Sequence, residues 1–208
     1  MVRCMGAFSP PNYLEARRWQ GLRIGLLGGS FHPPHEGHIR LSYAARKLLG
    51  LDFVWWLVTP KNPIKDSVSI ASYDTRVSAA YDMSSQYAHI VVSRFEHDLA
   101  SANTYQTLRG LHRYFPDTAF VWLCGFDLAL NFHRWQRAHD LPELAPFAFF
   151  ARPPAYQLVT GNFLAMRKDL THICLPDDSS APELRARTIF WAKALPMHNI
   201  SSTQLRTR

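Results

Sequence analysis

Two histidines three residues apart, His35 and His38, stand in the stretch Gly28-Gly-Ser-Phe-His-Pro-Pro-His-Glu-Gly-His38. Residue types of this kind suit a phosphate. Gly28 and Gly29 let a backbone turn tightly and approach an oxyanion. A helix starting near Glu36–Gly37 turns its first amide N–H groups and positive dipole end toward the same anion. On that first turn His35 and His38 share a face and reach one phosphate. A second donor set, Ser201-Ser202-Thr203 with Arg206, lies near the other end of the chain. Ser202 or Thr203 suits the N-cap of a short last helix. Arg206 falls one turn on, so hydroxyls, amides and a guanidinium make a second cradle. Read alone, that segment is a helix cap with a surface arginine. Paired with the first, it is the other jaw of a clamp on a triphosphate.

The elements that must position these groups show in the apolar pattern. Strands are expected near Leu22–Leu27, Phe53–Val58, His89–Val92, Thr118–Cys124, Phe147–Phe150 and Thr188–Ala192. Helices are expected near Gly37–Leu49, Tyr73–Ser85, Thr104–Arg113, Leu128–Phe132 and Val159–Lys168. Short, continuously apolar runs such as Val54-Trp-Trp-Leu-Val58 are typical of parallel strands buried on both faces. Strand and helix in alternation predict right-handed crossovers and a doubly wound, mostly parallel α/β sheet of Rossmann-like type. Ligands on such sheets bind beyond the carboxyl ends of the strands, and each motif follows a predicted strand. No repeat or linker divides the chain. A single domain is expected over residues 21–208, preceded by an extension, 1–20, with no assigned role.

Bulk properties narrow the ligand. The 208 residues are 47% hydrophobic and 19% charged, an ordinary globular composition. The net charge of +7 suits anionic ligands. The basic residues are scattered and no nucleic-acid-binding motif appears, so no nucleic-acid partner is expected. No apolar run nears the ~20 residues that span a bilayer, so no membrane association is expected. Three cysteines, Cys4, Cys124 and Cys174, argue against a disulfide framework and for a reducing, cytoplasmic setting. Cys124, in an apolar run, reads as a small buried hydrophobe.

With these residues in order, the chain resembles the bacterial-type nicotinate-nucleotide adenylyltransferases, within the wider nucleotidyltransferase group that carries a His-x-Gly-His signature. The matching stretches run from Leu22 to Arg206. They are His35-Glu-Gly-His38, Thr104-Tyr-Gln-Thr107-Leu, Gly125-Phe-Asp127-Leu with Phe132-His-Arg-Trp135, Ala151-Arg152-Pro153, and Ile200-Ser-Ser-Thr-Gln-Leu-Arg206. Each is weak alone; together, in the family's order, they are specific.

The resemblance implies transfer of an adenylyl group from ATP to nicotinate mononucleotide, giving deamido-NAD and pyrophosphate for NAD biosynthesis. The nucleophile is already an ionised phosphate, so catalysis consists of aligning two anions and stabilising charge on the α-phosphate. His38 is implied at the α-phosphate, with His35 beside it. Arg206, Ser201, Ser202 and Thr203 are implied at the β- and γ-phosphates. Mg²⁺ would neutralise the pyrophosphate, bound through phosphates and water with no protein metal ligand. Gly28, Gly29, Ser30, Phe31 and Gly37 complete the ATP-binding loop. Gly125 and Asp127 are implied near the dinucleotide, though Asp127 equally suits a helix cap. Thr104 and Trp135 match positions that meet the nicotinate ring and carboxylate; a lone tryptophan is as readily core. Lys61 is implied on the nicotinate mononucleotide side, and it and Lys65 are as readily a solvated loop.

The chain departs from the family at two places. His32 stands where Asn or Asp usually follows the phenylalanine, and Thr59-Pro-Lys-Asn-Pro-Ile-Lys65 replaces the common Pro-Pro-His-Lys form. Tyr73 and Arg76 open a helix beyond that loop and receive no role. The clamp sees only the nucleoside triphosphate, so three readings stay open besides the first. They are nicotinamide mononucleotide or phosphopantetheine as acceptor, cytidylyl transfer, and a non-catalytic nucleotide-binding module. Thr104, the Phe132–Trp135 pattern and the Ile200–Arg206 spelling favour nicotinate mononucleotide. Intact His35, His38 and Arg206 weigh against a mere sensor.

Overall fold

The computed structural model describes residues 13–60, 71–100, 103–151, 161–175 and 181–192. In chain order the elements are β1 (Arg23–Gly29), α1 (Glu36–Leu49), β2 (Phe53–Val58), α2 (Tyr73–Ser84), β3 (Ile90–Ser93), α3 (Phe95–Asp98), α4 (Thr104–Tyr114), β4 (Ala119–Gly125), α5 (Phe126–Asn131), α6 (Leu141–Leu144), β5 (Phe147–Phe150), β6 (Thr171–Cys174) and β7 (Thr188–Ala192). All seven strands pair in parallel, in the order β3-β2-β1-β4-β5-β7-β6. The chain builds outward from β1 to β3, then returns to lay β4 on the other side of β1. That reversal opens a crevice at the carboxyl ends of β1 and β4.

Alternation along each strand separates two cores, one on each face of the sheet. Leu26, Trp55, Leu57 and Trp122 enter one; Leu27, Val54, Trp56, Val58 and Leu123 enter the other. A strand buried on both faces has no polar side to show, which is why β2 reads Phe-Val-Trp-Trp-Leu-Val.

The six expected strands are all present, with ends shifted by no more than a residue or two. The sheet has one strand more. β6 is a largely exposed edge strand, Thr-His-Ile-Cys, and lacks the apolar run that marks a buried one. The helix expected at Val159–Lys168 is not formed over its described part. There Gly161 takes φ +83 and Asn162 Oδ1 accepts from the amides of Leu164 and Ala165, both at 3.0 Å. An Asn side chain that bonds its own downstream amides makes a turn in place of a helix. α5 starts at Phe126, earlier than expected, and runs into a 3₁₀ turn at Phe132–Arg134. α3 and α6, four residues each, are too short to show periodicity.

Residues 13–19, at the end of the extension, form a 3₁₀ helix. Trp19 is 1% exposed and packs edge-on against Trp55 at 4.8 Å and Phe53 at 5.4 Å. Its carbonyl accepts from the Thr118 hydroxyl at 2.8 Å. This turn thus packs into the core on one face of the sheet. Cys124 is fully buried, and burial pushes its thiol up. No helix among the described residues is long and apolar enough to cross a membrane.

Candidate active site

β1 delivers the chain to the crevice through Gly28 and Gly29, which pair with Leu57 and Val58 of β2. Their expected role as turn residues is corrected: both are strand residues, and the positive φ of the loop falls on Phe31, at 47°. The need for glycine at 28 is one of space. A Cβ there would meet Trp122 Cζ2 of β4 at 3.0 Å. The left-handed backbone at Phe31 costs ~1–2 kcal/mol. Full burial of its ring, stacked on Trp56 at 4.9 Å, offsets that by ~2–3 kcal/mol. Ser30 lies between, half-buried.

The two histidines close the start of α1 on each other. His35 is the N-cap, and its Nδ1 accepts from the Gly37 amide at 3.1 Å. The His35 amide in turn donates to Nδ1 of His38 at 3.1 Å. This is a reciprocal capping box built from imidazoles instead of Ser and Glu. The ring centroids lie 3.9 Å apart. A second expectation is corrected here, that of free amides at the helix start. The Gly37 amide is held by His35, and the His38 amide by the His35 carbonyl at 2.8 Å. Because each Nδ1 accepts, each neutral ring carries its proton on Nε2. The imidazoles therefore present N–H donors at the dipole's positive end where the amides were expected.

Two further residues aim His38. Its carbonyl accepts from the Ser42 hydroxyl at 2.8 Å, and the Trp56 indole N–H donates to Ser42 Oγ at 2.9 Å. Phe31 and Trp56 flank the His38 ring, at 4.8 and 5.7 Å between centroids. The sequence signal for Ser42 was faint, a serine four residues past His38 on the buried face of a helix.

Beside this loop, β4, which pairs with β1 from Ala119 to Leu123, ends at Gly125. Gly125 is the N-cap of α5 without a side-chain bond, and Asp127 lies exposed in the first turn. Asp127 thus favours the helix through the dipole and is not its N-cap.

The nicotinate-side candidates sit on two neighbouring segments. Thr104 is the first residue of α4, whose N-cap Asn103 accepts from the Gln106 amide at 2.9 Å. The Asn103 amide group donates to Gln136 Oε1 at 2.7 Å, tying α4 to the loop that carries Trp135. Trp135 stacks on Phe132 at 5.1 Å and meets Trp122 edge-on at 6.5 Å, yet stays partly exposed. Core packing and partial exposure hold together there. Lys61, Ser201, Ser202, Thr203 and Arg206 lie outside the described residues. Among the described residues no group of three or more His, Cys, Asp or Glu is placed to hold a metal ion.

Glu96 gave no signal in the sequence. It is 3% exposed; Oε1 accepts from the Thr107 hydroxyl at 3.1 Å, the Thr59 hydroxyl is a second partner, and Oε2 has no partner among the described residues. Thr59 binds the phosphate loop, its amide donating to the Gly29 carbonyl at 2.9 Å. Thr107 lies one turn past Thr104, so Glu96 joins the two sides of the crevice. Burial raises its carboxyl to about 7, against partial relief from the threonines. The neutral form favours folding. That contribution is fully present below pH ~4.5 and lost as pH rises through about 7, on the order of 3 kcal/mol in all. Thermal melts of Glu96→Gln and wild type should therefore diverge in the variant's favour between pH 4.5 and 8. A difference in Tm that stays constant with pH would contradict this.

Comparison with known proteins follows the same outline. Residues 26–208 match the family model described as cytidylyltransferase-like. A Methylorubrum extorquens protein named "Probable nicotinate-nucleotide adenylyltransferase" is 42% identical over 189 residues, covering 90% of this chain and all of its own. A Ruegeria sp. protein of the same name is 37% identical over 188 residues, 90% of this chain and 97% of its own. Among solved structures, Plasmodium falciparum nicotinic acid mononucleotide adenylyltransferase complexed with NaAD shares the fold. Its TM-score is 0.56 and its identity 19%, over 64% of this chain and 66% of that one. With the family model matched from within β1 to the last residue, and these relatives matched along nearly their whole length, the chain belongs to the cytidylyltransferase-like family, among the nicotinate-nucleotide adenylyltransferases.

Proposed function

We propose that the chain transfers the adenylyl group of ATP to nicotinate mononucleotide, forming deamido-NAD and pyrophosphate. The observation that carries this reading is the imidazole pair capping α1 at the crevice between β1 and β4, in a chain whose full-length relatives bear that enzyme's name. In the reaction a phosphate oxygen of nicotinate mononucleotide forms a bond to the α-phosphorus of ATP. The bond from that phosphorus to the bridging oxygen breaks, and pyrophosphate leaves with the electron pair. No proton need be removed from the nucleophile. The chain's task is to hold two anions in line and to meet the charge growing on the α-phosphate.

His38 Nε2–H is the donor assigned to the α-phosphate, with His35 beside it. Both have fixed tautomers, so no reorganisation is needed as charge develops. Gly28 and Gly29 keep the loop thin. Arg206, Ser201, Ser202 and Thr203 are assigned to the β- and γ-phosphates, and Asp127 to ribose or adenine donors. Mg²⁺ arrives as the ATP–Mg²⁺ substrate; N–H and cationic donors, with no carboxylate cage among the described residues, fit a metal carried by phosphates and water. Thr104, Trp135 and Lys61 are assigned to nicotinate mononucleotide. Both substrates and the free buried thiol of Cys124 suit the cytoplasm, and no nucleic acid or membrane enters the reaction.

Labelled ATP tests the reading. A label on the α-phosphorus should appear in the dinucleotide and one on the γ-phosphorus in pyrophosphate. Transfer of the γ-label to the acceptor would overturn it. Arg206→Ala should raise the KM for ATP–Mg²⁺ about ten- to a hundredfold, the worth of a lost charge-assisted bond, and leave the KM for nicotinate mononucleotide nearly unchanged. A variant with the opposite pattern would take Arg206 off the leaving phosphates.

A further inference from the structure

Arg76, on the first turns of α2, is 4% exposed, and no carboxylate pairs with it among the described residues. Its side chain makes four hydrogen bonds to described residues, all to main-chain carbonyls. Nη1 donates to Ser30 and to Thr59, each at 2.8 Å, Nη2 to Pro60 at 3.0 Å, and Nε to Ala71 at 3.2 Å. These carbonyls lie on three segments: the loop that leads to His35 and His38, the exit of β2, and the lead into α2. The Tyr73 ring lies 5.5 Å from its Cζ.

A buried cation with no counter-ion among the described residues is a costly way to secure a loop. Among the described residues its desolvation is met by carbonyl dipoles, and burial lowers its pKa. An apolar side chain could fill the volume. It could not fix Ser30 against Thr59, which one nitrogen of a rigid planar fork does. Ser30 is adjacent to Gly29, and the Thr59 amide donates to the Gly29 carbonyl. The fork therefore closes a small frame around the end of β1, from which the His35–His38 cap is suspended.

We propose that Arg76 is a positioning residue for adenylyl transfer. Its guanidinium sets the phosphate loop in register with the exit of β2, and so aims the His38 donor at the α-phosphate. This rests on the adenylyl-transfer reading above. Arg76 acts through the loop, so its loss should fall on the chemical step and on ATP, while the nicotinate side on α4 is spared.

The test is steady-state kinetics of Arg76→Ala and Arg76→Lys well below their melting temperatures. An ångström-scale misplacement of a catalytic group costs about 10²-fold, and that is the expected loss of kcat in Arg76→Ala. The KM for nicotinate mononucleotide should stay within roughly threefold, and millimolar guanidinium should restore part of kcat. Arg76→Lys keeps the charge without the fork and should fall between. If Arg76→Ala does not fold, the kcat of Arg76→Lys decides. A folded variant with kcat within roughly threefold of wild type would overturn the proposal, reducing Arg76 to a staple. So would a kcat loss matched by a rise in the nicotinate mononucleotide KM and indifferent to guanidinium. A wild-type protein that forms no dinucleotide would instead sink the activity reading. Calorimetric titration with ATP–Mg²⁺ then tests Arg76 by itself: about tenfold weaker binding in Arg76→Lys upholds the loop role, and equal binding overturns it.

Discussion

Replacing His38 with alanine should lower kcat about 10²- to 10³-fold, the usual cost of one preorganised donor to a developing oxyanion. The ring meets the conditions such a donor requires. Its Nδ1 is fixed by the His35 amide, its ring packs against those of His35, Phe31 and Trp56, and its carbonyl is tied to Ser42. What is lost is an Nε2–H already aimed, at a position where a water molecule would have to reorganise. The same substitution also orphans the His35 amide, a capping loss worth ~1 kcal/mol, so Tm should drop by only a few degrees. His38→Asn separates the two effects. Its short carbonyl can still accept from the His35 amide but cannot reach the phosphate, so it should recover stability without recovering kcat. Turnover within a few-fold of wild type in a folded His38→Ala protein would remove His38 from the mechanism.

The phosphate loop was legible because its chemistry is local. Gly28, Gly29, His35 and His38 fall within eleven residues, and a strand-to-helix passage forces them together whatever the distant packing. The strands were legible for a related reason, since burial on both faces leaves β2 and β4 nothing but apolar residues and β1 only Arg23, at its start, as an exception. Other features depended on contacts between distant segments. Arg76 meets carbonyls 16, 17 and 46 positions away in sequence, and Glu96 receives Thr107 from another helix. Neither carries any mark in its own neighbourhood. The occupation of the helix-start amides was hidden differently. Histidine is an uncommon cap, and only the geometry shows that each ring spends one nitrogen on the backbone. β6 was missed because an exposed edge strand need not be apolar.

The acceptor site leads to the second large effect, a preference for nicotinate over nicotinamide mononucleotide of roughly ten- to a hundredfold in kcat/KM. The two ligands differ by a carboxylate against a neutral carboxamide. Thr104 opens α4, where the dipole's positive end favours an anion, and Asn103 already spends its side chain on the Gln106 amide and Gln136. A site supplying hydroxyl and amide donors satisfies a carboxylate fully. A carboxamide brings N–H groups that find no acceptor, and each buried donor left unpaired costs ~1–3 kcal/mol. Trp135→Ala should erode the preference by freeing the ring. If that variant loses stability but keeps its selectivity, Trp135 serves only the Phe132–Trp122 packing.

The most direct measurement is the initial rate of pyrophosphate release from ATP–Mg²⁺ with each mononucleotide as sole acceptor, the dinucleotide product being identified in each case. The proposed site predicts release coupled one-to-one to deamido-NAD, with nicotinate mononucleotide favoured by at least about tenfold in kcat/KM. Equal kcat/KM for the two acceptors, or release without a dinucleotide, would contradict it.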